Sequence, residues 1–230
     1  MATRTISIIM PTCNEEPLIA RTLQSLLAMT ERSEGVEVIV SDASTDRTPD
    51  IISGFPVTLC HSTKGRAIQM NSGARLAGGD ILYFLHADTL PPETFIDDIR
   101  SASANGKKAG CFRMNFDDDH PLMTLFGWCT QFPLMICRGG DQSLFIDRTL
   151  FLHIGGFDET LLIMEDYDII TRIEQCTPFH ILHQQVTTSA RKYHQNGIIP
   201  LQLAFGTLHL MYALGFDQKS IIRYYRENIV

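Results

Sequence analysis

Short apolar runs rich in β-branched residues alternate with helical segments along the first hundred residues. Four runs have the length and composition of buried strands: TISIIM (5–10), VEVIVS (36–41), VTLC (57–60) and ILYFL (81–85). Between them, segments 17–29 and 66–77 carry apolar residues at helical spacing. Strands that alternate with helices pair in parallel as βαβ units. The pattern therefore predicts an α/β fold, with a Rossmann-like, mostly parallel central sheet flanked by helices.

The alternation becomes less regular after residue 91. The pattern there predicts helices near 92–104, 121–132 and 165–175, and strands near 110–116, 141–147 and 179–188. No internal repeat or linker interrupts the chain, so a single domain over residues 1–230 is expected.

Residues 198–216, IIPLQLAFGTLHLMYALGF, form a long apolar stretch. At helical spacing, Gln202, Gly206 and His209 fall on one more polar stripe. Three interpretations stay open: a helix in the core or at a homodimer interface, a helix on a membrane surface, and a membrane span. All three predict a C-terminal helical extension.

The net charge of −7 and the scattered lysines and arginines give no basic footprint, so no nucleic-acid partner is expected. The six cysteines show neither C-x-x-C pairs nor zinc-ligand spacing. Free thiols and the lack of a secretory signal pattern predict a cytoplasmic protein. The apolar stretch 198–216 adds the alternative that this cytoplasmic protein associates peripherally with the inner face of a membrane.

Polar residues follow three of the predicted strands: Pro11, Thr12, Cys13, Asn14 and Glu15 after the first, Ser41 and Asp42 after the second, and His86, Ala87 and Asp88 after the fourth. Ligands of open α/β sheets bind beyond the carboxyl ends of the parallel strands. Asp42 can accept a hydrogen bond from a nucleobase or a ribose. Asp88 can hold Mg²⁺ or Mn²⁺, with His86 either a second ligand or a plain strand-end residue.

Two predicted helix starts carry further chemistry. Arg66 begins a helix that also carries Asn71, and a cation beside helix N-terminal amides suits a diphosphate. Glu165 and Asp166 stand side by side at another helix start, where they either match the helix dipole or supply a general base for a substrate hydroxyl.

Two residue pairs remain ambiguous. Asp141 and Gln142 follow two glycines, where they either contact a ligand or form a turn before a strand. Arg191 and Tyr193 follow the last strand, where they either close over a diphosphate or serve a plain surface role.

Together these motifs resemble the family 2 inverting glycosyltransferases with the GT-A fold. The matching stretches, over about residues 4–175, are IIMPTCNEEPLIARTLQSL, VIVSDASTDRT, GRAIQMNSGA, ILYFLHADT, GGFDE and MEDYDIITRI. The variants FLHADT, GDQSLF and TSARKY are most similar to a bacterial branch, some of whose members are named after arsenosugar-type biosynthesis clusters. That likeness extends to nearly the whole chain.

The resemblance implies transfer of one sugar with inversion, from a nucleotide-diphosphate donor that is often UDP-linked to an acceptor hydroxyl that the sequence does not name. By motif, the residues that would line the nucleoside site are Pro11, Thr12, Asn14, Glu15 and Asp42. Arg66 would approach the diphosphate, Asp88 would hold the metal as the last position of a D-x-D motif, and Asp166 would be the base. Asp141 and Gln142 would contact the acceptor or the donor sugar. The resemblance also implies a division of the chain into a nucleotide-binding half (1–110), an acceptor half (111–195) and the extension (196–230).

The sequence departs from the family pattern at two strand tips. Where the family usually has two acidic residues after the second strand, this chain has Ser41-Asp42. In place of the D-x-D motif it has His86-Ala87-Asp88, which leaves one carboxylate for the metal. The Q-x-x-R-W signature of processive synthases is absent, which favours single-sugar transfer. A catalytically inactive nucleotide-binding module, a sugar-phosphate nucleotidyltransferase and a membrane-associated scaffold stay open as alternatives.

Overall fold

A computed structural model of the chain describes residues 3–229. The strands are β1 (Ile6–Thr12), β2 (Val36–Asp42), β3 (Thr58–His61), β4 (Ile81–Phe84), β5 (Thr89–Leu90), β6 (Ala109–Phe116), β7 (Leu144–Asp147) and β8 (His180–Thr188). They form one sheet in the order β3-β2-β1-β4-β7-β6-β8-β5. Neighbours from β3 to β4 pair in parallel, as do β6 and β8, whereas β7 is antiparallel to β4 and β6, and β5 is antiparallel to β8.

Helices flank this sheet and follow it at the C-terminal end. They are α1 (Ile19–Thr30), α2 (Thr48–Ile52), α3 (Arg66–Leu76), α4 (Phe95–Ala104), α5 (Pro121–Cys129), α6 (Arg148–His153), α7 (Glu165–Glu174), α8 (Arg191–Asn196), α9 (Ile198–Ala213) and α10 (Gln218–Asn228). Two single 3₁₀ turns cover Met135–Cys137 and Gly140–Gln142. The predicted mixed, mostly parallel α/β fold with a helical extension is confirmed.

Both faces of the sheet are buried, which explains the unbroken apolar runs of its first strands. Ile8 and Met10 of β1 pack in one layer with Leu23 of α1. On the other face, Ile9 packs in a layer that also contains Met70 of α3. The sheet is therefore held between two helical layers, and its strand ends are left as the open edge.

The C-terminal helices form a third apolar cluster against β6 and α5. Leu201, Ala204 and Leu208 of α9 are buried there together with Ile221 of α10. The interpretation of the apolar stretch as a packed helix is confirmed for this face of α9. Within residues 3–229, no helix has both the length and the apolar character that crossing a bilayer requires.

Candidate active site

A cleft of about 760 Å³ opens beyond the carboxyl ends of β1 and β4. Its floor is formed by the strand-end residues Pro11, Thr12, His86 and Asp88. The opposite wall comes from α5, the two 3₁₀ turns and helices α8 to α10. The cleft therefore lies where ligands of open α/β sheets bind, and its volume is typical of small-molecule sites.

Three side chains in this cleft form a cluster that can hold a metal ion. His86, Asp88 and Asp141 each offer one ligand atom, and these atoms lie within 4.8 Å of one another. Opposite ligands of a bound Mg²⁺ lie about 4.2 Å apart, so small side-chain rotations bring all three atoms onto one ion. Two carboxylates with one imidazole suit Mn²⁺ or Mg²⁺. Asp141, predicted as a sugar contact, thus lies among the predicted metal ligands.

The charges of this cluster favour a cation. Burial and the nearby Asp141 carboxylate raise the pKa of Asp88. His86 Nδ1 lies 3.2 Å from Asp141 Oδ1. Although desolvation opposes both charged forms, this hydrogen bond raises the pKa of His86 and lowers the pKa of Asp141 to about 2. The carboxylates of Asp88 and Asp141 repel each other, and a divalent ion bound between them relieves this repulsion.

Asp166 lines the cleft beside this cluster, at the start of α7. Burial and the adjoining Glu165 carboxylate raise the pKa of Asp166 to about 6. A carboxylate with this pKa is a stronger proton acceptor than an exposed aspartate and is still ionised at neutral pH. The predicted general base is therefore at the cleft surface, with a basicity that suits that role.

Glu165, grouped with Asp166 as catalytic in the sequence prediction, is directed away from the cleft. Its side chain is 1% exposed, and Oε1 lies 2.9 Å from Arg66 Nε. The Glu165 charge is the main cause that raises the pKa of Arg66. Arg66 lines the cleft and Glu165 does not, so the structure places Glu165 beside Arg66, and the catalytic role of Glu165 stays a prediction.

Basic side chains surround the entrance of the cleft. Arg191 of α8 reaches across to Glu15, with 3.5 Å between Nη2 and Oε2. Burial outweighs the effect of Arg191 and raises the pKa of Glu15. Lys64 and Lys192 line the same cleft. Four cations, counting Arg66, are therefore available to a phosphorylated ligand.

Two predicted nucleoside contacts instead hold the strand tips together. Asp42 is 2% exposed, and its carboxylate accepts hydrogen bonds from the Thr12 hydroxyl at 2.8 Å and from the Ser44 hydroxyl and N–H. Asn14 lies outside the cleft, where its side-chain oxygen accepts a hydrogen bond from Thr45 N–H. Both residues fix the β1 and β2 tips, whereas Pro11, Thr12 and Glu15 line the cleft as predicted.

Three further predicted contacts are occupied by protein groups. Asn71 is buried outside the cleft, where its amide bonds to both the N–H and the C=O of Phe157. The Gln142 amide donates to Phe112 C=O and accepts from Gly139 N–H. The Tyr193 hydroxyl donates to Gln202, so Tyr193 forms a wall of the cleft rather than a closing group. A helical or strand pattern does not show which way such side chains point.

Backbone strain is concentrated around the cleft. Asn14, Ser143 and Met164 are the non-glycine residues with positive φ in the described chain, at 58°, 62° and 71°. Met164 itself lines the cleft, and Asn14 and Ser143 each adjoin a residue that lines it, Glu15 and Gln142. Strained positions of this kind persist where the surrounding structure needs them, typically at functional sites.

Sequence reasoning missed several cleft residues. Lys64 and Lys192 stand within the stretches KGRAIQMNSGA and TSARKY, so their neighbours gave a usable signal. Tyr225 of α10 also lines the cleft, and nothing in its helical surroundings indicates this. Its position depends on how the C-terminal helices pack.

Comparisons with known proteins agree with this geometry. The family model described as Glycosyl transferase family 2 matches residues 7–135. The Validoxylamine A glucosyltransferase of Streptomyces hygroscopicus subsp. limoneus is 31% identical over 159 residues, which are 63% of this chain and 35% of that protein. The chain therefore spans about a third of the length of this curated relative.

Two solved structures share the fold. The mannosyltransferase PcManGT from Pyrobaculum calidifontis, in complex with GDP-Man and Mn²⁺, gives a TM-score of 0.70 at 20% identity, over 97% of this chain and 70% of that chain. S. aureus TarS 1-349 in complex with UDP-GlcNAc gives a TM-score of 0.65 at 19% identity, over 80% of this chain and 58% of that chain. At such identities the likeness establishes the GT-A-like fold.

Proposed function

This chain belongs to glycosyl transferase family 2, and from that premise we propose that it transfers one sugar from a nucleoside-diphosphate sugar to an acceptor hydroxyl with inversion. The proposal depends on one observation: the cluster of His86, Asp88 and Asp141 and the basic carboxylate of Asp166 converge in a single cleft. A UDP-linked donor is proposed from the motifs. GDP-linked donors belong in the same test, since the structures that share the fold were solved with UDP-GlcNAc and with GDP-Man.

The proposed roles follow from position. Pro11, Thr12 and Glu15 line the β1 end of the cleft and would contact the nucleoside. His86, Asp88 and Asp141 would hold a Mg²⁺ or Mn²⁺ ion, and the chemistry this ion supplies when bound is neutralisation of charge on the leaving diphosphate. Arg66, fixed by Glu165, supplies a second positive charge to the same group.

The chemical step requires one proton acceptor on the acceptor side. In the proposed reaction the acceptor oxygen bonds to the anomeric carbon while the bond from that carbon to the diphosphate oxygen breaks. Asp166 takes the hydroxyl proton, and a general base of this kind contributes about 10²–10⁴-fold. Attack from the face opposite the leaving group gives inversion.

The donor is tested by thermal shift with UDP, GDP, dTDP and CDP, each with and without Mn²⁺. Ligand at 100 times its dissociation constant adds about 2.7 kcal/mol of stability. We expect one nucleotide to stabilise the wild type, with an increment from Mn²⁺ that Asp88→Ala loses. An equal Mn²⁺ increment in Asp88→Ala would refute the role of Asp88.

The base is tested by Asp166→Asn. We expect sugar transfer to fall by at least about 10²-fold while nucleotide binding survives. Near-normal turnover in Asp166→Asn would remove this residue from the mechanism. Nucleotide binding without donor turnover in the wild type would favour an inactive module, and pyrophosphate release from a nucleoside triphosphate would favour a nucleotidyltransferase.

We also propose narrower features of the chain: its division into parts, its family branch, its location and its association state. We propose a division into a nucleotide-binding half (1–110), an acceptor half (111–195) and an extension (196–230). The proposed donor contacts up to residue 88 lie in the first half, whereas Asp141 and Asp166 lie in the second. The bacterial branch with the FLHADT and TSARKY motifs is proposed from those motifs alone. A cytoplasmic location is proposed from the free cysteines. Peripheral membrane binding and a homodimer are proposed from the exposed apolar side chains of α9.

A further inference from the structure

The half of the cleft farthest from the strand tips has an apolar and aromatic wall. Its side chains come from β6, α5, a 3₁₀ turn and α9, and they include Met114, Phe116, Phe126, Ile136, Phe205 and Leu208. Most charged residues of the cleft, including Glu15, Asp88 and Lys192, lie instead on the strand-tip loops and at the starts of α3, α7 and α8, and Asp141 lies in a 3₁₀ turn. One cleft thus combines a charged end with an apolar end.

The hydroxyls at the apolar end are already paired within the protein. The Tyr193 hydroxyl donates to Gln202 Oε1 at 2.9 Å, and the Tyr167 hydroxyl lies 3.1 Å from His209 Nδ1. Burial lowers the pKa of His209 to about 4, so its imidazole is neutral at physiological pH. Neither pair has a charge to offer to a ligand.

The other polar side chains at this end are also occupied. The Thr130 hydroxyl donates to Gly127 C=O and accepts from Met114 N–H. The Arg138 guanidinium donates to the carbonyls of Thr130 and Phe132. A site that recognises a polyhydroxylated acceptor needs free donors and acceptors directed at each hydroxyl. In the described part of the chain, the apolar end of the cleft provides few of them.

Apolar surface continues from this wall to the outside of the molecule. Ile136 lines the cleft and is nevertheless 67% exposed. On α5, Phe126 and Cys129 line the cleft, and the adjacent stripe of the same helix exposes Leu125 by 47% and Trp128 by 55%. Exposed apolar side chains beside a cleft indicate a binding site for an apolar group.

We propose that the acceptor is an alcohol with an apolar carbon skeleton, which lies along this wall and leaves the cleft past Ile136. This inference depends on the proposed function and names its acceptor class. The alcohol oxygen bonds to the anomeric carbon, the bond from that carbon to the diphosphate breaks, and the hydroxyl proton passes to Asp166. The skeleton itself needs only apolar contact, which the wall supplies.

Binding of the acceptor is measured without catalysis. Trp128 is the only tryptophan of the chain and directly precedes Cys129, which lines the cleft, so we use its fluorescence to report occupancy. We titrate hexanol, octanol and decanol, with and without the nucleoside diphosphate and Mn²⁺. Each added pair of methylenes should tighten binding by about tenfold until the wall is filled. Methyl glucoside should bind more weakly than any of them.

Matched variants separate this site from unspecific apolar binding. Ile136→Asn should weaken decanol binding by about tenfold without changing nucleotide binding, because the donor end is untouched. Leu76→Asn, at a similarly exposed leucine outside the cleft, should change neither. Equal affinity across the alcohol series, tighter binding of methyl glucoside, or equal effects of the two variants would each overturn the inference.

Transfer assays then identify the source of the alcohol. A free aryl alcohol such as 2-phenylethanol is compared with a polyisoprenol in phosphatidylcholine vesicles. Transfer to the vesicle-borne alcohol would indicate a membrane lipid, and transfer to the aryl alcohol a soluble metabolite. Failure of all nucleotides to bind would count against the proposed function, whereas nucleotide binding with no preference for apolar alcohols would count against this inference alone.

Discussion

Gly140 separates the proposed base from the proposed metal ligands. A Cβ atom at this position would lie 2.2 Å from Asp166 Oδ2 and 2.9 Å from His86 Cε1. Atoms of that kind do not approach so closely, so any side chain here must move one of the two groups. The absence of a side chain is therefore what lets a carboxylate and an imidazole face the same space.

Gly140→Ala should lower kcat/KM by at least about 100-fold, because a displacement of about 1 Å at a reacting group costs that much. Gly139→Ala is the matched control, since nothing lies within 4 Å of its added Cβ. Steady-state kinetics and thermal melts of both variants check the expectation. Equal activity in the two variants would show that the Asp166 position tolerates movement.

Glu165 and Arg66 set the basicity of Asp166. Glu165→Gln removes the charge that, after burial, most raises the pKa of Asp166, and it frees Arg66 to lower that pKa further. A general base works only when ionised, so the wild-type rate should fall about tenfold per pH unit below about 6. In Glu165→Gln this acid limb should move to lower pH.

The pH profile of kcat/KM distinguishes this effect from simple damage. Loss of activity without movement of the acid limb would mean that Glu165 acts only by holding Arg66. Arg66→Lys serves as the companion variant, because it keeps the positive charge but not the guanidinium geometry. It should lower the rate with a smaller movement of the limb.

At the scale of elements, the short helix α8 brings charge to the donor end. Its first residue, Arg191, crosses the cleft to Glu15, and Lys192 follows it. Arg191→Ala should weaken binding of a nucleoside diphosphate by about tenfold, since one charge-assisted contact is lost, and should leave the free nucleoside unaffected. Arg75→Ala, at an exposed arginine outside the cleft, is the control, and calorimetry measures both.

The helices and strands that the sequence predicted are those long enough to show a repeating pattern of apolar residues. The strands β1, β2 and β4 and the helices α1 and α3 were predicted within a few residues, because burial on both faces or on one stripe imposes a repeating pattern. Helices α6 and α8 and strand β5 span two to six residues and were missed. Such segments are fixed by tertiary contacts, which a local pattern does not contain.

The same reasoning explains which site residues were identified. Strand tips mark the site because topology brings them to one edge, so Glu15, His86 and Asp88 were found. The direction of each side chain depends on its neighbours. Asp42 turns to Thr12 and Ser44, Asn71 turns to the backbone of Phe157, and neither reaches the cleft. The presence of a polar side chain at a strand tip is thus easier to predict than the group to which that side chain hydrogen-bonds.

At the scale of the whole molecule, the proposed active site opposes folding. Asp166 and Asp88 have raised pKa values because burial and neighbouring carboxylates disfavour their charged forms. At neutral pH the folded protein keeps the Asp166 charge, and the unfolded chain does so at no such cost. The positive φ angles at Asn14, Ser143 and Met164 add strain around the same cleft. Stability is therefore reduced where the chemistry is placed.

Asp166→Asn should consequently raise stability while it abolishes transfer. A carboxyl group whose pKa is raised by folding destabilises the folded state fully above that pKa, about 6, and not at all below the unfolded value near 4. The gain in the metal-free protein should thus be about 3 kcal/mol at pH 7.5, on the order of 8 °C in Tm, and should shrink to below about 1 kcal/mol by about pH 4.5. Thermal melts of wild type and variant across this range measure it. A Tm difference that stays constant with pH would mean that the Asp166 carboxylate carries no electrostatic cost in the fold, and its proposed basicity would lose its physical cause.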